Sequence, residues 1–337
     1  MRIVLDAMGS DTHPHPELEA CAHAVQEWAD PILLIGPEPL LRPALAAKGL
    51  DPAKVRVVHA PEVLEMTDKP AHTARDKAMT SMAVGMDLLK DGSADAFVTA
   101  GNTGGAMATA LFRLGRIRGV KRPALAPVFP VLNGRCVVID IGANVDCKPE
   151  YLLQFAILGT IYAHTVLGVE SPRVGLLSNG EEPGKGNELI QASFRLLGSS
   201  GLHFIGNVEP KEVYGGRADV VVTDGFYGNI FLKTSETVAR FLMQLIRDHI
   251  KAGPLTTLGG LLARPAFRRV AKIMDPSEYG AVPLLGVQGL VFIGHGRSDA
   301  KALVSAIRVA RESVRSGLLP AVEEGIRRHF PGAPTSD

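Results

Sequence analysis

The chain has 337 residues and a nearly balanced charge, with 36 Lys and Arg against 35 Asp and Glu. This balance provides no global positive field for nucleic acid, so we expect no nucleic-acid partner. Hydrophobic residues make up 46% of the chain and aromatic residues only 5%, which predicts a core of Ala, Val, Leu and Ile. The length suits a single α/β catalytic unit, residues 1–337, built as two lobes.

Cysteine usage and hydropathy bear on the compartment. Cys21, Cys136 and Cys147 are odd in number and follow no metal spacing, which indicates free thiols in a reducing compartment. The sequence MRIVLDAMGSD predicts a strand without a signal-peptide pattern. No apolar run reaches the ~18 residues of a spanning helix. We therefore expect a cytoplasmic protein, and peripheral contact with the inner face of the membrane stays open.

Strand and helix patterns alternate along the chain. Strands are predicted at 2–5, 31–36, 55–59, 95–99, 136–141, 174–178, 202–208, 218–223 and 290–293. Helices are predicted at 17–28, 40–46, 79–90, 107–111, 149–167, from 187, from 230 past 242, and 298–315. This alternation predicts an α/β fold with a doubly wound, largely parallel sheet and helices on both faces.

Polar residues follow the predicted strands where each strand ends. In α/β sheets, ligands bind at the carboxyl ends of the strands, so these side chains are candidates for one site. For Asp6 a turn or cap role is equally open on position alone. The side chains expected to converge are Asp6, Asn102, Thr103, Asp140, Asn144, Asn179, Asp224 and His295.

The stretch RVGLLSNGEEPGKGNE, residues 173–188, predicts a strand, a glycine-rich turn and a helix. Such a turn directs backbone N–H groups and a helix N-terminus at one point, which suits an anion, and Lys185 adds a positive charge. It is not the G-x-x-x-x-G-K-[ST] phosphate loop, because the Gly180–Gly184 spacing is one residue short and Gly186 replaces Ser or Thr. A plain strand-to-helix connection with a surface lysine is the alternative.

Two further candidate site residues could instead serve only as helix caps. Asn229 lies at or next to the N-terminus of the helix predicted from residue 230, where Asn is a preferred N-cap. Ser298 follows the Gly294-His295-Gly296 turn and is predicted to cap the helix through Arg315.

Basic residues concentrate in two places, where they form either a solvated surface or a docking patch for an acidic partner. The first group, called the loop cluster below, is Arg113, Arg116, Arg118, Lys121 and Arg122. The second group, called the collar, is Arg264, Arg268, Arg269 and Lys272.

The collar belongs to a segment, residues 251–279, that breaks the strand–helix alternation. It predicts a protruding helical hairpin with an apolar tip, called the leucine tip below. The tip suits contact with a second subunit, contact with anionic lipid, or ordinary packing on the parent core. Its residues are Leu255, Leu258, Leu261 and Leu262.

Several motifs together carry a resemblance to one family. They are DAMG (6–9), AGNTG (100–104), RPA (122–124), DIGANVDCKP (140–149), SNGEE (178–182), GKGNE (184–188), TDGF with GN (223–229), PLLGV (283–287) and HG with SDAK (295–301). This set resembles the bacterial phosphate acyltransferase (PlsX) family, the acyl-acyl carrier protein:phosphate transacylases of phospholipid synthesis. The resemblance covers nearly the whole chain, and the motifs occur in the family's order.

The resemblance implies a fold related to the isocitrate/isopropylmalate dehydrogenases and to phosphotransacetylase. It implies a homodimer with a cleft between two lobes, and a reaction that moves a long acyl chain from acyl carrier protein to inorganic phosphate. The acyl phosphate would pass to a membrane glycerol-3-phosphate acyltransferase. No cofactor and no metal is expected.

Direct attack of phosphate on a thioester requires a held phosphate, donors for the oxyanion, and a proton or positive charge for the thiolate. Lys185, Asn229 and His295 are the catalytic candidates, and which group protonates the thiolate stays open. No G-x-S-x-G motif is present, and Cys147 is more typical of a small buried thiol than of a nucleophile. The substrate-binding candidates are Asp6, Gly101, Asn102, Thr103, Asp140, Asn144, Asn179, Gly184, Gly186, Asp224 and Ser298.

Three alternatives remain at this level. One is a phosphotransacetylase that uses acetyl-CoA. Another is a metal-dependent decarboxylating dehydrogenase, which needs clustered aspartates, whereas Asp224 and Asp299 are isolated in the sequence. The third is a non-enzymatic module that binds lipid surfaces.

Overall fold

The computed structural model describes residues 1–68, 77–132, 134–278 and 280–331. Tyr279, the last residue of the predicted hairpin, lies outside the described residues, as do residues 332–337 of the predicted catalytic unit.

Strands and helices alternate along much of the chain, as predicted, with three consecutive strands between residues 124 and 139 and a pair between residues 282 and 293. The strands are β1 Ile3–Asp6, β2 Ile32–Gly36, β3 Val55–His59, β4 Ala96–Thr99, β5 Ala124–Leu125, β6 Val128–Val131, β7 Gly134–Ile139, β8 Val174–Leu177, β9 Phe204–Val208, β10 Val220–Val222, β11 Val282–Leu285 and β12 Val291–Ile293. The helices are α1 His15–Glu27, α2 Glu38–Ala47, α3 Ser81–Lys90, α4 Thr103–Arg113, α5 Pro149–Thr165, α6 Glu188–Gly198, α7 Pro210–Tyr214, α8 Gly225–Ile250, α9 Pro254–Ile273, α10 Ala300–Arg315 and α11 Leu318–His329, with a 3-10 turn at Pro276–Glu278.

The strands form two sheets with mixed pairing. The first has the order β3-β2-β1-β4-β12-β11-β5 and the second β6-β7-β10-β8-β9. Most neighbours are parallel, which confirms the α/β class, but β11 is antiparallel to β12 and β5, and β6 is antiparallel to β7. The sequence did not predict β5, β6 and β11, because Pro130 and Pro283 interrupt the apolar pattern and proline normally argues against a strand.

Helices cover both faces of the first sheet. One core cluster packs α3 and α4 against alternate residues such as Val4 and Phe97, while a second packs α1, α2 and α10 against Leu5 and Val98. The first of these clusters continues to Val138 in the second sheet, so it joins the two sheets. The carboxyl ends of the parallel strands are thereby held in fixed relation.

Helices α8 and α9 extend away from this core. Only Gly225, Gly228 and Phe231, in the first two turns of the 26-residue α8, are buried. Within α9, whose residues are all described, none is buried. No helix in the described ranges is both long enough and apolar enough to span a membrane.

The start of α8 lies against the end of β7. A Cβ built on Gly228 would lie 1.9 Å from the carbonyl oxygen of Asp140, and one on Gly225 would lie 2.7 Å from that of Asn144. Only glycine permits this approach, which fixes the first turn of α8 over the residues that follow β7.

We predict that Gly228→Ala destabilises the protein by about 1–3 kcal/mol, because the added methyl group forces the helix and the β7 end apart. Urea denaturation measures the change. Gly259→Ala is the matched control, because Gly259 lies in exposed α9 with no atom within 4 Å of its built Cβ. The control should gain about 0.5–1 kcal/mol of helix stability. Equal stability of the Gly228 variant and the wild type would contradict the close approach.

Candidate functional site

At the first sheet, Asp6 fixes the turn after β4. Its carboxylate is buried and accepts a hydrogen bond from Thr99 Oγ1 at 2.7 Å, and that hydroxyl accepts one from the Gly101 N–H at 3.0 Å. Burial raises the pKa of Asp6, and hydrogen bonds from Ser81 and Thr99 oppose the shift. Asp6 therefore holds the turn of residues 100–103, called the Asn102 turn below.

Asn102 itself is the N-cap of α4. Its Oδ1 accepts a hydrogen bond from the Gly105 N–H at 3.0 Å, and its Nδ2 donates to the Met66 carbonyl at 3.0 Å. Both ends of the carboxamide are thus used within the protein. The adjacent Thr103 is exposed, and its hydroxyl has no partner among the described residues.

At the second sheet, Asp140 organises the turn after β7, residues 140–144, called the Gly142 turn below. The buried carboxylate accepts backbone hydrogen bonds from Leu125, Gly142, Ala143 and Asn144, at 2.7–3.3 Å. Burial raises the pKa of Asp140, and these donors oppose the shift. Asn144 Nδ2 donates to Asp140 and to the Pro123 carbonyl, at 3.0 and 2.8 Å.

Asn229 is not the N-cap of α8, so the cap interpretation of this residue was wrong. The helix begins one turn earlier, at Gly225, and Asp224 caps it by accepting hydrogen bonds from the Phe226 and Tyr227 N–H groups, both at 2.9 Å. Burial raises the pKa of Asp224, opposed by these two amides.

Asn229 instead projects from the second turn of α8 over the Gly142 turn. Its Cγ and Nδ2 lie 3.8 and 3.9 Å from a Cβ built on Gly142, whose φ is +142°. The side chain is exposed, and its carboxamide makes no hydrogen bond within the described part of the chain. It is therefore free to donate to a bound molecule.

The turn after β8, residues 180–186 and called the Lys185 turn below, is held by hydrogen bonds. Asn179 Oδ1 accepts from the Gly186 N–H at 3.0 Å, and Asn187 caps α6. Gly186 has φ +90°, and a Cβ there would lie 2.5 Å from Ile190, so this position requires glycine. A Cβ built on Gly184 would have no non-adjacent neighbour within 4 Å among the described residues, so packing does not require glycine at this position.

Lys185 is exposed, and its ammonium group has no hydrogen-bond or ion-pair partner in the ranges the structure describes. Its aliphatic stem passes over Gly180, whose built Cβ would lie 2.8 Å from Lys185 Cγ. The positive charge is therefore available to an anion at this turn.

After β12, His295 is exposed, and its Nδ1 accepts a hydrogen bond from the Arg297 N–H at 3.2 Å. The neutral imidazole consequently carries its proton on Nε2. Ser298 does not cap α10 as predicted. Asp299 is the N-cap, because its Oδ1 accepts from the Ala302 N–H at 2.8 Å, while Ser298 is buried beside Gly294.

One continuous cavity of about 3030 Å³ contacts all of these turns and continues along α8. Its apolar lining includes Met107, Ile141, Ile230 and Phe231. Asp6, Asp140 and Asp224 do not line it, since their carboxylates point into the turns. The predicted site residues that line it are Thr103, Asn179, Gly186, Asn229, His295 and Ser298.

The loop cluster and the collar differ in how many of their side chains form hydrogen bonds or ion pairs. In the loop cluster, Arg113 donates to Asp87, Arg116 donates to the Lys121 carbonyl, and Lys121 pairs with Glu150. Arg118 and Arg122 are exposed with no ion pair to described residues. All four collar residues, Arg264, Arg268, Arg269 and Lys272, are exposed.

The ends of the loop cluster lie in different places. The Ile117 N–H donates to the Gly286 carbonyl at 3.0 Å, in the turn that precedes β12 and is opposite the Asn102 turn. Arg122 precedes Pro123, whose carbonyl accepts from Asn144. Arg122 is therefore the member of the loop cluster nearest the Gly142 turn.

The sequence motifs do not predict two residues that hold the Lys185 turn. Asn207 on β9 donates to the Glu182 carbonyl, and Gln191 on α6 donates to the Gly184 and Gly186 carbonyls. Gln191 lies one helical turn beyond the N-cap of α6, so its closeness to the Lys185 turn could have been predicted from its position in the sequence. Asn207 carries no such local signal, because it meets the turn only through the β8–β9 pairing.

Solved structures define the class of fold. The chain superposes on a phosphotransacetylase from Streptococcus pyogenes with a TM-score of 0.61 at 16% identity, over 93% of this chain and 94% of that one. It superposes on a 4-hydroxythreonine-4-phosphate dehydrogenase from Klebsiella pneumoniae with a TM-score of 0.55 at 15% identity, over 93% and 99%. At these identities the likeness shows the fold alone.

Sequence relatives define the family. A family model described as fatty acid synthesis protein matches residues 1–320. The phosphate acyltransferase of Desulfitobacterium hafniense (strain DSM 10664 / DCB-2) is 46% identical over 97% of this chain and 98% of its own length. That of Elusimicrobium minutum (strain Pei191) is 44% identical over 98% and 97%. The chain belongs to this family of phosphate acyltransferases, as its motifs predicted.

The surroundings of Cys147 disfavour a role as a nucleophile. Its Sγ donates to the Asn144 carbonyl at 3.3 Å. Burial raises the pKa of the Cys147 thiol to about 12, and the charges of Asp140 and Asp224 add to the shift. The thiolate, which is the reactive form, is scarce at neutral pH.

We predict that Cys147→Ala keeps turnover within about threefold of wild type, since an unreactive thiol contributes only packing and one weak hydrogen bond. Steady-state rates with saturating phosphate test this. Alkylation of the wild type by iodoacetamide at pH 7 should be slow at Cys147. Loss of turnover in the variant, together with rapid alkylation at this residue, would contradict the assignment.

Proposed function

We propose that this protein transfers a long acyl group from the thioester of acyl carrier protein to inorganic phosphate. The product is an acyl phosphate for phospholipid synthesis, which a membrane glycerol-3-phosphate acyltransferase would consume. The observation that carries the proposal is one cavity, which Gly186 of the Lys185 turn, Asn229 and His295 all line. No cofactor or metal enters the proposed steps.

Phosphate binds at the Lys185 turn in this proposal. The free ammonium of Lys185 and the N-terminus of α6 act on the same anion, and both favour negative charge. Gly184 and Gly186 keep side chains away from the bound phosphate, and Asn179 holds the turn closed through the Gly186 N–H.

Asn229 stabilises the oxyanion. Phosphate oxygen attacks the thioester carbonyl carbon, and the carbonyl oxygen gains negative charge as the C–O bond forms. The unengaged Nδ2 of Asn229 above Gly142 can donate to that oxygen. Because Asp224 supplies the helix cap, Asn229 serves this role without a competing cap hydrogen bond.

His295 stabilises the leaving thiolate. The C–S bond breaks as the tetrahedral intermediate collapses, and the sulfur takes the electron pair. The Arg297 N–H occupies Nδ1, so the Nε2–H of the neutral ring can donate a hydrogen bond to the sulfur as its negative charge develops. The carrier-protein thiolate then leaves and takes a proton from solvent.

The remaining predicted residues position these groups. Asp6 and Asp140 fix the Asn102 and Gly142 turns from inside, and Asp224 caps α8. Asn102 and Asn144 complete the hydrogen bonds of the two turns. A Cβ built on Gly101 would lie 2.4 Å from Met82 Cε, so glycine lets the Asn102 turn pack against α3. Thr103 and Ser298 border the cavity and contact substrate directly.

Acetyl-CoA phosphotransacetylase activity is the second candidate, favoured by the fold shared with the S. pyogenes phosphotransacetylase. The cavity favours the longer substrate, because its apolar wall continues along α8 well beyond Asn229. The dehydrogenase alternative is weaker, since Asp224 and Asp299 each cap a helix instead of sharing a metal site. Turnover with palmitoyl-carrier protein against acetyl-CoA decides between the two acyl substrates.

The assembly completes the proposal. The two sheets correspond to two lobes around the cleft, and the protein works as a homodimer. The exposed face of α8 carries apolar residues at helical spacing, which suits a second copy of this chain. They are Val238, Phe241, Leu242, Leu245 and Ile246, of which the first three also border the cavity. The α8–α9 hairpin also presents the leucine tip to a second subunit or to the membrane surface. The proposed location is the cytoplasm, with peripheral contact at the membrane.

We predict that Asn229→Ala lowers kcat by ~10²–10³ without loss of thermal stability, because an oxyanion donor acts mainly in the transition state. Lys185→Ala should lower kcat/KM for phosphate more than kcat, because it also loses ground-state binding. Thr80→Ala is the control for a lost helix cap, since Thr80 caps α3 through the Ala83 N–H. It should cost about 1 kcal/mol of stability and keep near-normal turnover. Wild-type turnover in both site variants would refute the assignment.

We predict that charge reversal at a docking patch raises KM for acyl carrier protein substrate and weakens its salt dependence, because the carrier is acidic. Arg118→Glu with Arg122→Glu tests the free members of the loop cluster. Arg264→Glu with Arg268→Glu tests the collar. Kinetics at 50 and 300 mM salt, with acyl-CoA as the carrier-free control, measure the effect. An unchanged KM in both pairs would place docking elsewhere.

We predict that replacing the leucine tip by Ser leaves the fold intact but reduces dimerisation or vesicle binding. Leu255 is 82% exposed and Leu262 is 78% exposed, so their removal costs the single chain little. Sedimentation velocity and flotation with anionic vesicles measure the two properties. A monomeric wild type without vesicle affinity would remove the basis of this prediction.

A further inference from the structure

We propose that Asn207 and Gln191 are positioning residues for phosphate transfer, which act by holding the Lys185 turn in its anion-binding shape. This inference depends on the proposed function, because it assigns a task to two side chains around the proposed phosphate site. Neither residue belongs to the motifs that identify the family, and neither touches substrate.

Asn207 holds the first half of the turn. Its Nδ2 donates to the Glu182 carbonyl at 2.9 Å, and the Lys185 N–H donates to the same oxygen at 3.0 Å. The amide group must present its NH₂ here, because the partner is a carbonyl. Asn207 lies on β9 and is 1% exposed, so it ties the turn to the second sheet.

Gln191 holds the second half of the turn. Its Nε2 donates to the Gly184 carbonyl at 3.0 Å and to the Gly186 carbonyl at 3.1 Å, which uses both amide hydrogens. These two carbonyls flank Lys185 on either side. With Asn179 accepting from the Gly186 N–H, a side-chain amide fixes each arm of the turn.

The contacts of Gln191 set which backbone groups face an anion. In a trans peptide the C=O and N–H groups point in opposite directions. The Gly186 carbonyl points to Gln191, so the Asn187 N–H points away from Gln191, and it has no partner among the described residues. Without Gln191, the Gly184 and Gly186 carbonyls could turn toward the anion and repel it.

Stability does not account for either residue. Asn207 Oδ1 is buried without a hydrogen-bond partner in the described part of the chain, and an unpaired buried oxygen costs free energy. Gln191 is exposed, so its hydrogen bonds compete with water and add little to folding. Their common feature is the shape that they impose on the Lys185 turn.

The test is kinetic, with Gln191→Ala and Gln191→Glu. Each should raise KM for phosphate about tenfold, which is about 1.4 kcal/mol, with kcat at saturating phosphate within about threefold of wild type. KM for acyl carrier protein substrate and the melting temperature should not change. Leu196→Ala, at an exposed position of the same helix, is the control and should leave all four values unchanged. Asn207→Leu should raise KM for phosphate without lowering the melting temperature.

The outcomes separate this inference from the proposed function. If both Gln191 variants keep the wild-type KM for phosphate while Lys185→Ala raises it, the positioning role is wrong and the phosphate site stands. If Lys185→Ala also leaves that KM unchanged, the phosphate site and the inference both fail. A melting temperature lowered in step with KM in every variant would show a structural role and overturn the inference.

Discussion

The site depends on how the carboxylate of Asp140 is buried. It accepts hydrogen bonds from the Gly142 turn and from the Leu125 N–H. The Asp140 carboxylate therefore joins the end of β7, in the second sheet, to β5 of the first sheet. The carbonyl of the same residue lies so close to α8 that Gly228 must be glycine. This packing sets the first turns of α8, and with them the position of Asn229. A change at Asp140 would therefore displace the helix, the Gly142 turn and the proposed oxyanion donor together.

The polar groups around the cavity fall into two classes. Asp6, Asp140 and Asp224 are buried carboxylates whose oxygens are occupied by backbone amides or hydroxyls. They shape three turns at strand ends. The exposed groups without internal partners are different in kind: the Lys185 ammonium, the Asn229 amide and the Nε2 side of His295. A cation and two neutral hydrogen-bond donors suit the phosphate attack on a thioester that we propose, and the buried Asp140 and Asp224 fix the start of α8, which carries Asn229.

Much of the fold followed from the sequence, because buried parallel strands and amphipathic helices leave strong periodic patterns. The sequence predicts the start of α8 at residue 230, five residues too late, because Gly225 and Gly228 are typical of a loop. In the structure, close packing against Asn144 and Asp140 requires glycine at these two positions within the helix. The sequence does not distinguish Ser298 from Asp299 as the cap of α10, because both residue types are good caps and only the backbone geometry selects Asp299. Asn207 could not be found, because its contact with Glu182 depends on strand pairing between residues far apart in the chain.

The most direct test of the account is a crystal structure of the full chain soaked with phosphate, with tungstate as an anomalous marker for the anion. The account predicts an anion at the Lys185 turn, within hydrogen-bond distance of Lys185 Nζ and the Asn187 N–H, on the cavity side that faces Asn229. An anion bound at the Asn102 turn, with the Lys185 turn empty, would contradict it.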